Sequence, residues 1–150
     1  MFNPENFLYF YKFFPGRVID GDTFTIASID LGFYTKAFHS NIDQQQKRVR
    51  LYGIDCYEKR KSTSATKKYK ERGIYKDNYD ILGAKATDYV NNVFRGSDGF
   101  IISVHRNQKI DDNFGRILGI VYTRDVSTKE WTCLNDRLIG AGYAFDWEEM

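Results

Sequence analysis

The sequence predicts a mainly β fold with α-helices, of the α+β class, and two observations lead to that prediction. Five short segments are rich in aromatic and β-branched residues, which is typical of strands. One longer segment, between the third and fourth of them, repeats its apolar residues at helical spacing. A chain of 150 residues can bury one sizeable core, so we expect a single domain over residues 1–150.

Turn-forming residues separate the strand segments. "NFLYFYKFF" predicts a strand, and Pro15-Gly16 then bends or turns the chain. "RVIDGDTFTIASI" predicts two short strand-like runs around a tight "DGD" turn. "KRVRLYGID" predicts the next strand, after a polar hairpin tip or loop. "FIISVHR" and "RILGIVYTR" predict the last two, joined by the turn-rich "NQKIDDNFG".

Two segments predict helices. "DILGAKATDYVNNVFRG" is the principal one, with Asp80 as N-cap and Gly96 as C-terminal stop. "CLNDRLIGAGYA" predicts a short amphipathic helix, whereas residues 59–79 lack an apolar period and predict a solvated basic loop. With "RVIDGDTFTIASI" counted as one strand segment, the order of elements is β-β-β-α-β-β-α. This order fits an OB-type five-stranded Greek-key barrel with two packed helices. Such barrels often bind oligonucleotides, but a fold alone does not establish a function.

One segment of the chain is strongly basic although the total charge is small. Residues 47–76 contain 11 Lys and Arg against 3 Asp and Glu, a charge of +8, and the rest carries −6 from 11 against 17. A concentrated basic segment is typical of a surface that binds nucleic acid. Tyr69 and Tyr75 in it either stack on bases or pack internally. The cations predicted to contact nucleic acid are Lys59, Arg60, Lys61, Lys67, Lys68 and Lys70.

The cysteine and histidine content disfavours several classes of function. Cys56 and Cys133 form neither a disulfide framework nor a CxxC pattern, and His39 and His105 give little support for zinc, HNH-type or Ser-His-Asp chemistry. No apolar run is long enough to cross a bilayer, and the N-terminal segment lacks the features of a signal peptide. We therefore expect an intracellular, cytoplasmic protein without a membrane partner.

The segment "RLYGIDCYE", from Arg50 to Glu58, has a cation at one end and carboxylates at the other. Strict alternation puts Arg50 and Asp55 on opposite faces, so they converge only if the strand bends or ends near Gly53. Asp22 and Asp55, at separate strand ends, would form an oxygen-rich site for a hard cation such as Ca²⁺. The alternative is that these are ordinary turn and loop residues.

A second arginine follows the turn-forming segment "DDNFG". Arg116 has a planar guanidinium that suits a phosphate, with an edge-strand cation as the alternative. Phe114, just before it, either contacts a nucleotide or covers the core.

Four motifs in order, together with an alanine-containing helix, resemble those of the staphylococcal nuclease (thermonuclease) family over about residues 18–144. They are "VIDGDTFTI", "VRLYGIDCYE", "DDNFGRILGIVY" and "LNDRLIGAGYA". The resemblance implies an OB-type barrel and an endonuclease that hydrolyses phosphodiester bonds of DNA and/or RNA. It implies Ca²⁺ as cofactor, with Mg²⁺ or another divalent cation as the alternative.

The resemblance also implies a role for each matching acidic residue. Asp22 and Asp55 resemble the two calcium carboxylates, and the backbone carbonyl of Cys56 would be a further metal ligand. Glu58 resembles the general base, or the residue that orients the attacking water.

Two arginines and one departure complete this comparison. Arg50 and Arg116 resemble the pair that clamps the phosphate. Cys56 and Tyr57 stand where the family usually has Thr and Pro, so we expect a looser loop around Glu58.

The sequence leaves two functions open. One is an active metal-dependent nuclease, and the other is a nucleic-acid-binding OB-type module with little or no cleavage. Dependence on a metal distinguishes the two functions. Cleavage should vanish with a chelator, whereas binding should persist and depend on salt. We expect a monomer, with an oligomer as the alternative because the segment after Ala144 is short.

Overall fold

Five strands close into a ring in the computed structural model, which describes residues 6–38, 47–107 and 116–146. The ring is completed because the first strand pairs with both the second and the sixth. All its pairings are antiparallel except that between the fourth and seventh strands. In ring order the strands are β1 (Tyr9–Asp20), β6 (Ser97–Val104), β7 (Ile117–Asp125), β4 (Lys47–Leu51) and β2 (Thr23–Asp30). The predicted OB-type five-stranded barrel is confirmed.

The remaining elements extend the ring or pack beside it. The short strands are β3 (Thr35–Ala37) beside β2, β8 (Trp131–Cys133) beside β7, and the separate pair β5 (Ile54–Cys56) and β9 (Ala144–Asp146). The helices are α1 (Thr63–Glu71), α2 (Tyr79–Arg95) and α3 (Leu134–Gly140). Two packed helices were predicted, and the structure has three within its described residues. None of these helices is long and apolar enough to cross a membrane.

The barrel interior is filled by aliphatic and aromatic side chains. Strand alternation directs them inward, and α2 covers the barrel with Ala86, Val90 and Val93, which repeat at helical spacing. Each fully buried side chain of this size stabilises the fold by about 1.5–3 kcal/mol. The interior side chains include Phe13, Phe24, Ile26, Val49, Ile102, Ile117 and Val121.

Pro15 does not interrupt the first strand. β1 continues through Pro15-Gly16 as a bulged strand, with register shifts on both sides of Pro15. Proline lacks a backbone donor, and a bulge is one place where a strand tolerates it. Residues Tyr9–Lys12 pair with β6, while the part from Phe13 onward pairs with β2. Because β1 bends at this bulge, its first part can pair with β6 and its second part with β2, which closes the ring.

The predicted solvated loop over residues 59–79 is wrong, because it contains α1. Ser62 caps this helix, and its hydroxyl accepts a hydrogen bond from the Ala65 N–H at 3.1 Å. The buried face consists of Ala65 and Tyr69, four residues apart, which is too short to register as an apolar period. Tyr69 is 0% exposed and packs against Tyr57 and Tyr79. The base-stacking option for Tyr69 is therefore wrong.

The start of α2 also differs from the prediction. Asn78, not Asp80, is the N-cap, and Gly96 is the C-cap as predicted. Tyr79 is fully buried, and its hydroxyl accepts a hydrogen bond from the Ser62 N–H at 2.9 Å. The packing of the Tyr79 side chain against Tyr69 of α1 thus fixes the position of the first turn of α2.

At Gly83, α2 lies very close to the backbone that precedes α1. An added Cβ there would lie 2.5 Å from the carbonyl oxygen of Tyr57 and 2.6 Å from that of Glu58. Backbone atoms cannot rotate away as a side chain can. Glycine at this position therefore lets α2 support the segment that holds Glu58.

We expect Gly83→Ala to lower the free energy of unfolding by about 1–3 kcal/mol, because the methyl group must displace backbone. Urea unfolding measures this change. Gly140→Ala is the matched control, since nothing lies within 4 Å of its added Cβ, and it should not destabilise the protein. Equal stability of the two variants would contradict the close approach.

Candidate functional site

Arg50 lies buried between two aspartates. Its Nη1 is 3.0 Å from Oδ2 of Asp22, and its Nη2 donates a hydrogen bond of 3.5 Å to Oδ1 of Asp55. The three side chains are only 10–11% exposed. Charges this far from water are tolerated when they are paired, so the two aspartates and the arginine stabilise one another.

Three strand ends bring this cluster together. Arg50 on β4 pairs with Thr23 on β2, so Asp22 arrives immediately before β2 begins. The chain then turns at Gly53, whose φ of +78° is a conformation that glycine adopts without strain. Asp55 follows on β5 and faces Arg50 again. Arg50 and Asp55 therefore meet through the turn at Gly53, which is the condition that strand alternation sets for their convergence.

Asp22 is held rigidly by its neighbours. Its Oδ1 accepts a hydrogen bond from Thr23 Oγ1 at 3.1 Å, and its Oδ2 accepts one from the Cys56 N–H at 2.9 Å. Gly21 permits this packing, because an added Cβ would lie 2.9 Å from Cys56 Sγ. The backbone N–H of Cys56 thus links the two aspartate-bearing segments, while a metal-ligand role for its carbonyl stays a prediction.

The Cys56 thiol is a structural group. It is buried, and burial together with the nearby charges of Asp22 and Asp55 raises its pKa above the ordinary range. A thiol that keeps its proton is a poor nucleophile. Cysteine chemistry at this site is therefore disfavoured.

Nη1 of Arg50 keeps unused hydrogen-bonding capacity. It is buried and 3.0 Å from Oδ2 of Asp22, but within the described residues no acceptor lies in a direction suitable for a hydrogen bond. Leaving a buried donor unsatisfied costs about 1–3 kcal/mol. An incoming oxygen acceptor, such as a phosphate oxygen, would satisfy it.

Lys68 also belongs to this cluster. Its Nζ lies 3.1 Å from Oδ2 of Asp55, the oxygen that Arg50 does not contact. Burial raises the pKa of the Asp55 carboxyl, and the Lys68 charge opposes that rise. Sequence reasoning placed Lys68 on a nucleic-acid-binding surface and missed this contact. No local pattern signals it, because the contact depends on the unpredicted helix α1.

Glu58 is exposed and lies two residues after β5, on a well-anchored backbone. Its N–H donates a hydrogen bond of 2.8 Å to the Tyr69 hydroxyl. The neighbouring Tyr57 is buried and donates through its hydroxyl to the carbonyl of Ile74 at 2.7 Å. The loop is therefore anchored where we expected it to be loose. Partial burial raises the pKa of the Glu58 carboxyl, Asp20 adds to the rise, and Lys68 opposes it.

Arg116 is exposed and immediately precedes β7. It lies two residues before Leu118, which pairs with Arg50 across the parallel strands β4 and β7. The two arginines thus come from neighbouring strands, but among the described residues no hydrogen bond or ion pair joins Arg116 to the buried cluster. Phe114 lies outside the described residues.

The other predicted nucleic-acid contacts lie on the surface around α1. Lys59 donates a hydrogen bond to the carbonyl of Ile19 at 2.6 Å and lies 3.6 Å from Asp20, so it ties this segment to the first turn. Lys67 lies 4.0 Å from Glu71 in an exposed pair. The exposed members of the set are Lys59, Arg60, Lys61, Lys67 and Lys70.

The donor chemistry of the aspartates fits a hard divalent cation. Asp22 and Asp55 supply carboxylate oxygens, the ligands that Ca²⁺ and Mg²⁺ prefer. No group of three acidic, histidine or cysteine side chains forms a ready-made metal cage within the ranges that the structure describes. The remaining ligands would therefore come from water, backbone or a bound phosphate. Arg50 and Lys68 provide the positive charges that face these two carboxylates.

Comparison with known proteins agrees with this geometry. The chain matches the family model described as staphylococcal nuclease homologue over residues 48–149, which include Arg50, Asp55, Glu58 and Arg116. Asp22 precedes the matched range, and the pairing of β2 with β4 joins it to the site. No curated protein matches the chain significantly. The match spans more than half of the sequence, and the chain therefore belongs to the staphylococcal nuclease homologue family.

Proposed function

We propose that the protein is a divalent-metal-dependent endonuclease that hydrolyses phosphodiester bonds of DNA and/or RNA. The observation that carries this proposal is the buried Arg50 between Asp22 and Asp55, with its Nη1 lacking a hydrogen-bond acceptor. Family membership supports a nuclease or a nucleic-acid-binding OB module. Glu58, a carboxylate residue near this cluster with an anchored backbone, favours the nuclease.

The arginines would bind the scissile phosphate. Arg50 is held in place by its two carboxylates, so little reorganisation accompanies phosphate binding. Arg116, at the start of the neighbouring strand β7, would contact the phosphate from the exposed side. Phosphodiester hydrolysis increases the negative charge on the phosphate oxygens in the transition state. Positioned guanidiniums then stabilise the transition state more than the ground state.

Glu58 would act as the general base or orient the attacking water. Its backbone is fixed by the Tyr69 hydroxyl, which limits where the carboxylate can reach. Desolvation and the nearby charge of Asp20 raise the pKa of its carboxyl, which makes the carboxylate a stronger base than an ordinary glutamate. The carboxylate takes the proton as the water oxygen bonds to phosphorus, while the bond from phosphorus to the leaving oxygen breaks and that oxygen takes up a proton from solvent.

Asp22, Asp55 and the backbone carbonyl of Cys56 would hold the metal, Ca²⁺ or alternatively Mg²⁺. When bound, such a cation neutralises phosphate charge and lowers the pKa of coordinated water. The surface cations of α1 and the adjoining segment, with Phe114, would bind the flanking nucleotides. Because they act through charge, this part of binding should weaken steeply with salt.

A binding module with little cleavage is the second candidate. It is favoured by the way Arg50 and Lys68 neutralise both aspartates, which leaves less negative charge to attract a metal. It predicts nucleic-acid binding that persists in a chelator.

We expect cleavage of DNA or RNA to require Ca²⁺ or Mg²⁺ and to stop with a chelator, because the phosphate charge is then not neutralised. Glu58→Gln should slow cleavage by about 10²–10⁴-fold, the usual contribution of a general base, with unchanged folding. The measurement is a cleavage assay on single-stranded DNA, double-stranded DNA and RNA. Glu130→Gln is the control, since this exposed residue lies in the turn before β8. Binding of labelled oligonucleotides without cleavage under any metal would favour the module.

Arg116→Gln should lower kcat/KM by about 10²–10³-fold, as expected for loss of one positioned transition-state contact. Because Arg116 is exposed, its free energy of unfolding should stay within about 0.5 kcal/mol of the wild-type value. Steady-state kinetics and urea unfolding measure the two quantities. Arg95→Gln removes an exposed arginine that contacts Asn92 of its own helix and should cleave normally. Wild-type cleavage by Arg116→Gln would remove this arginine from the phosphate clamp.

A further inference from the structure

Both carboxylate oxygens of Asp55 are occupied by the protein's own cations. Arg50 contacts Oδ1 at 3.5 Å and Lys68 contacts Oδ2 at 3.1 Å. Asp55 is also one of the two aspartates that would bind the metal. We propose that Lys68 is a tethered competitor for the divalent cation at Asp55 and sets the metal concentration at which the site works. This inference rests on the proposed function.

The competition follows from distance and charge. A Ca²⁺ ion would bind a carboxylate oxygen at about 2.3–2.6 Å, and both oxygens of Asp55 already face a cation of the chain. Two positive ions at one oxygen repel each other, so metal binding must displace Lys68 or weaken its contact. Asp22, Asp55 and Arg50 together carry a charge of −1, and Lys68 brings that sum to zero. The site therefore attracts a cation less strongly while Lys68 is in place.

The fold builds this position for Lys68. Its neighbour Tyr69 is fully buried, and that hydroxyl accepts the Glu58 N–H, so α1 is fixed against the loop next to Asp55. At the start of the helix, the Tyr79 hydroxyl accepts the Ser62 N–H. Lys68 thus projects from an anchored helix rather than from a solvated loop.

The side chain of Lys68 can nevertheless leave Asp55. It is 33% exposed, whereas the Asp55 side chain is 11% exposed, so the lysine has access to water and the aspartate does not. Displacement therefore requires a side-chain rotation and no unfolding of α1.

Metal titration without nucleic acid tests the proposal. Isothermal titration calorimetry with Ca²⁺, at one ionic strength, should show about tenfold tighter binding to Lys68→Gln than to wild type. A tenfold change is more than an exposed ion pair provides, and the burial of Asp55 is the reason to expect it. Lys68→Arg keeps the charge and should bind Ca²⁺ within about threefold of wild type, since a guanidinium can still pair with a carboxylate.

Lys67→Gln is the matched control for total charge. Lys67 precedes Lys68 on α1, has a 76% exposed side chain and pairs with Glu71 rather than with the aspartates. Its loss should change Ca²⁺ affinity by less than about threefold, the effect of a screened surface charge. Urea unfolding of each variant establishes that it is folded before the titrations are compared.

Unchanged or weaker Ca²⁺ binding by Lys68→Gln would overturn the competition. An equal gain in Lys67→Gln would also overturn it, because the effect would then come from total charge. Absence of Ca²⁺ and Mg²⁺ binding to both wild type and Lys68→Gln would have the same consequence. Tighter binding without cleavage of any nucleic acid would support the competition and contradict the nuclease. Metal-dependent cleavage together with unchanged Ca²⁺ affinity in Lys68→Gln would support the nuclease and contradict the competition.

Discussion

The burial of one guanidinium is the constraint on which the site depends. Arg50 is on the barrel strand β4, and its side chain is nearly inaccessible to water. A charge in that position must be paired, and its partners Asp22 and Asp55 come from the β1–β2 turn and from β5. The barrel therefore has to bring three chain segments together to satisfy one side chain. The same requirement holds two carboxylates close to each other and to a donor that lacks an acceptor.

A second, smaller hydrophobic core packs behind the loop that holds Glu58. Tyr57, Tyr69 and Tyr79 pack together with Ala65, apart from the barrel interior. Their hydroxyl groups accept or donate backbone hydrogen bonds in three different segments, so the aromatic packing also fixes the loop positions. Tyr57 occupies a position where the family usually has proline. The packing of Tyr57 and the hydrogen bond of its hydroxyl thus restrict the loop at Glu58, as the rigid ring of a proline would.

The helix α1 changes the electrostatics of the aspartate pair. Without it, the cluster of Asp22, Asp55 and Arg50 would carry a net negative charge, and Lys68 removes that charge. The basic segment therefore has two kinds of lysine. Most are exposed and face solvent around α1, where they can meet a phosphate backbone. Lys68 instead faces inward, and its effect is on the chain's own carboxylates.

The sequence by itself determined the five barrel strands and the core helix α2, and it allowed Arg50 and Asp55 to converge if the chain turned at Gly53. These follow from local chemistry: alternation of apolar residues, helical spacing and a glycine that permits a turn at residue 53. It did not determine α1, the N-cap at Asn78 or the contact between Lys68 and Asp55. α1 buries just Ala65 and Tyr69, so most of its stability comes from tertiary packing, which no local period reports. Tertiary structure alone decided which lysine faces the aspartates, because that choice depends on how a buried tyrosine orients the helix.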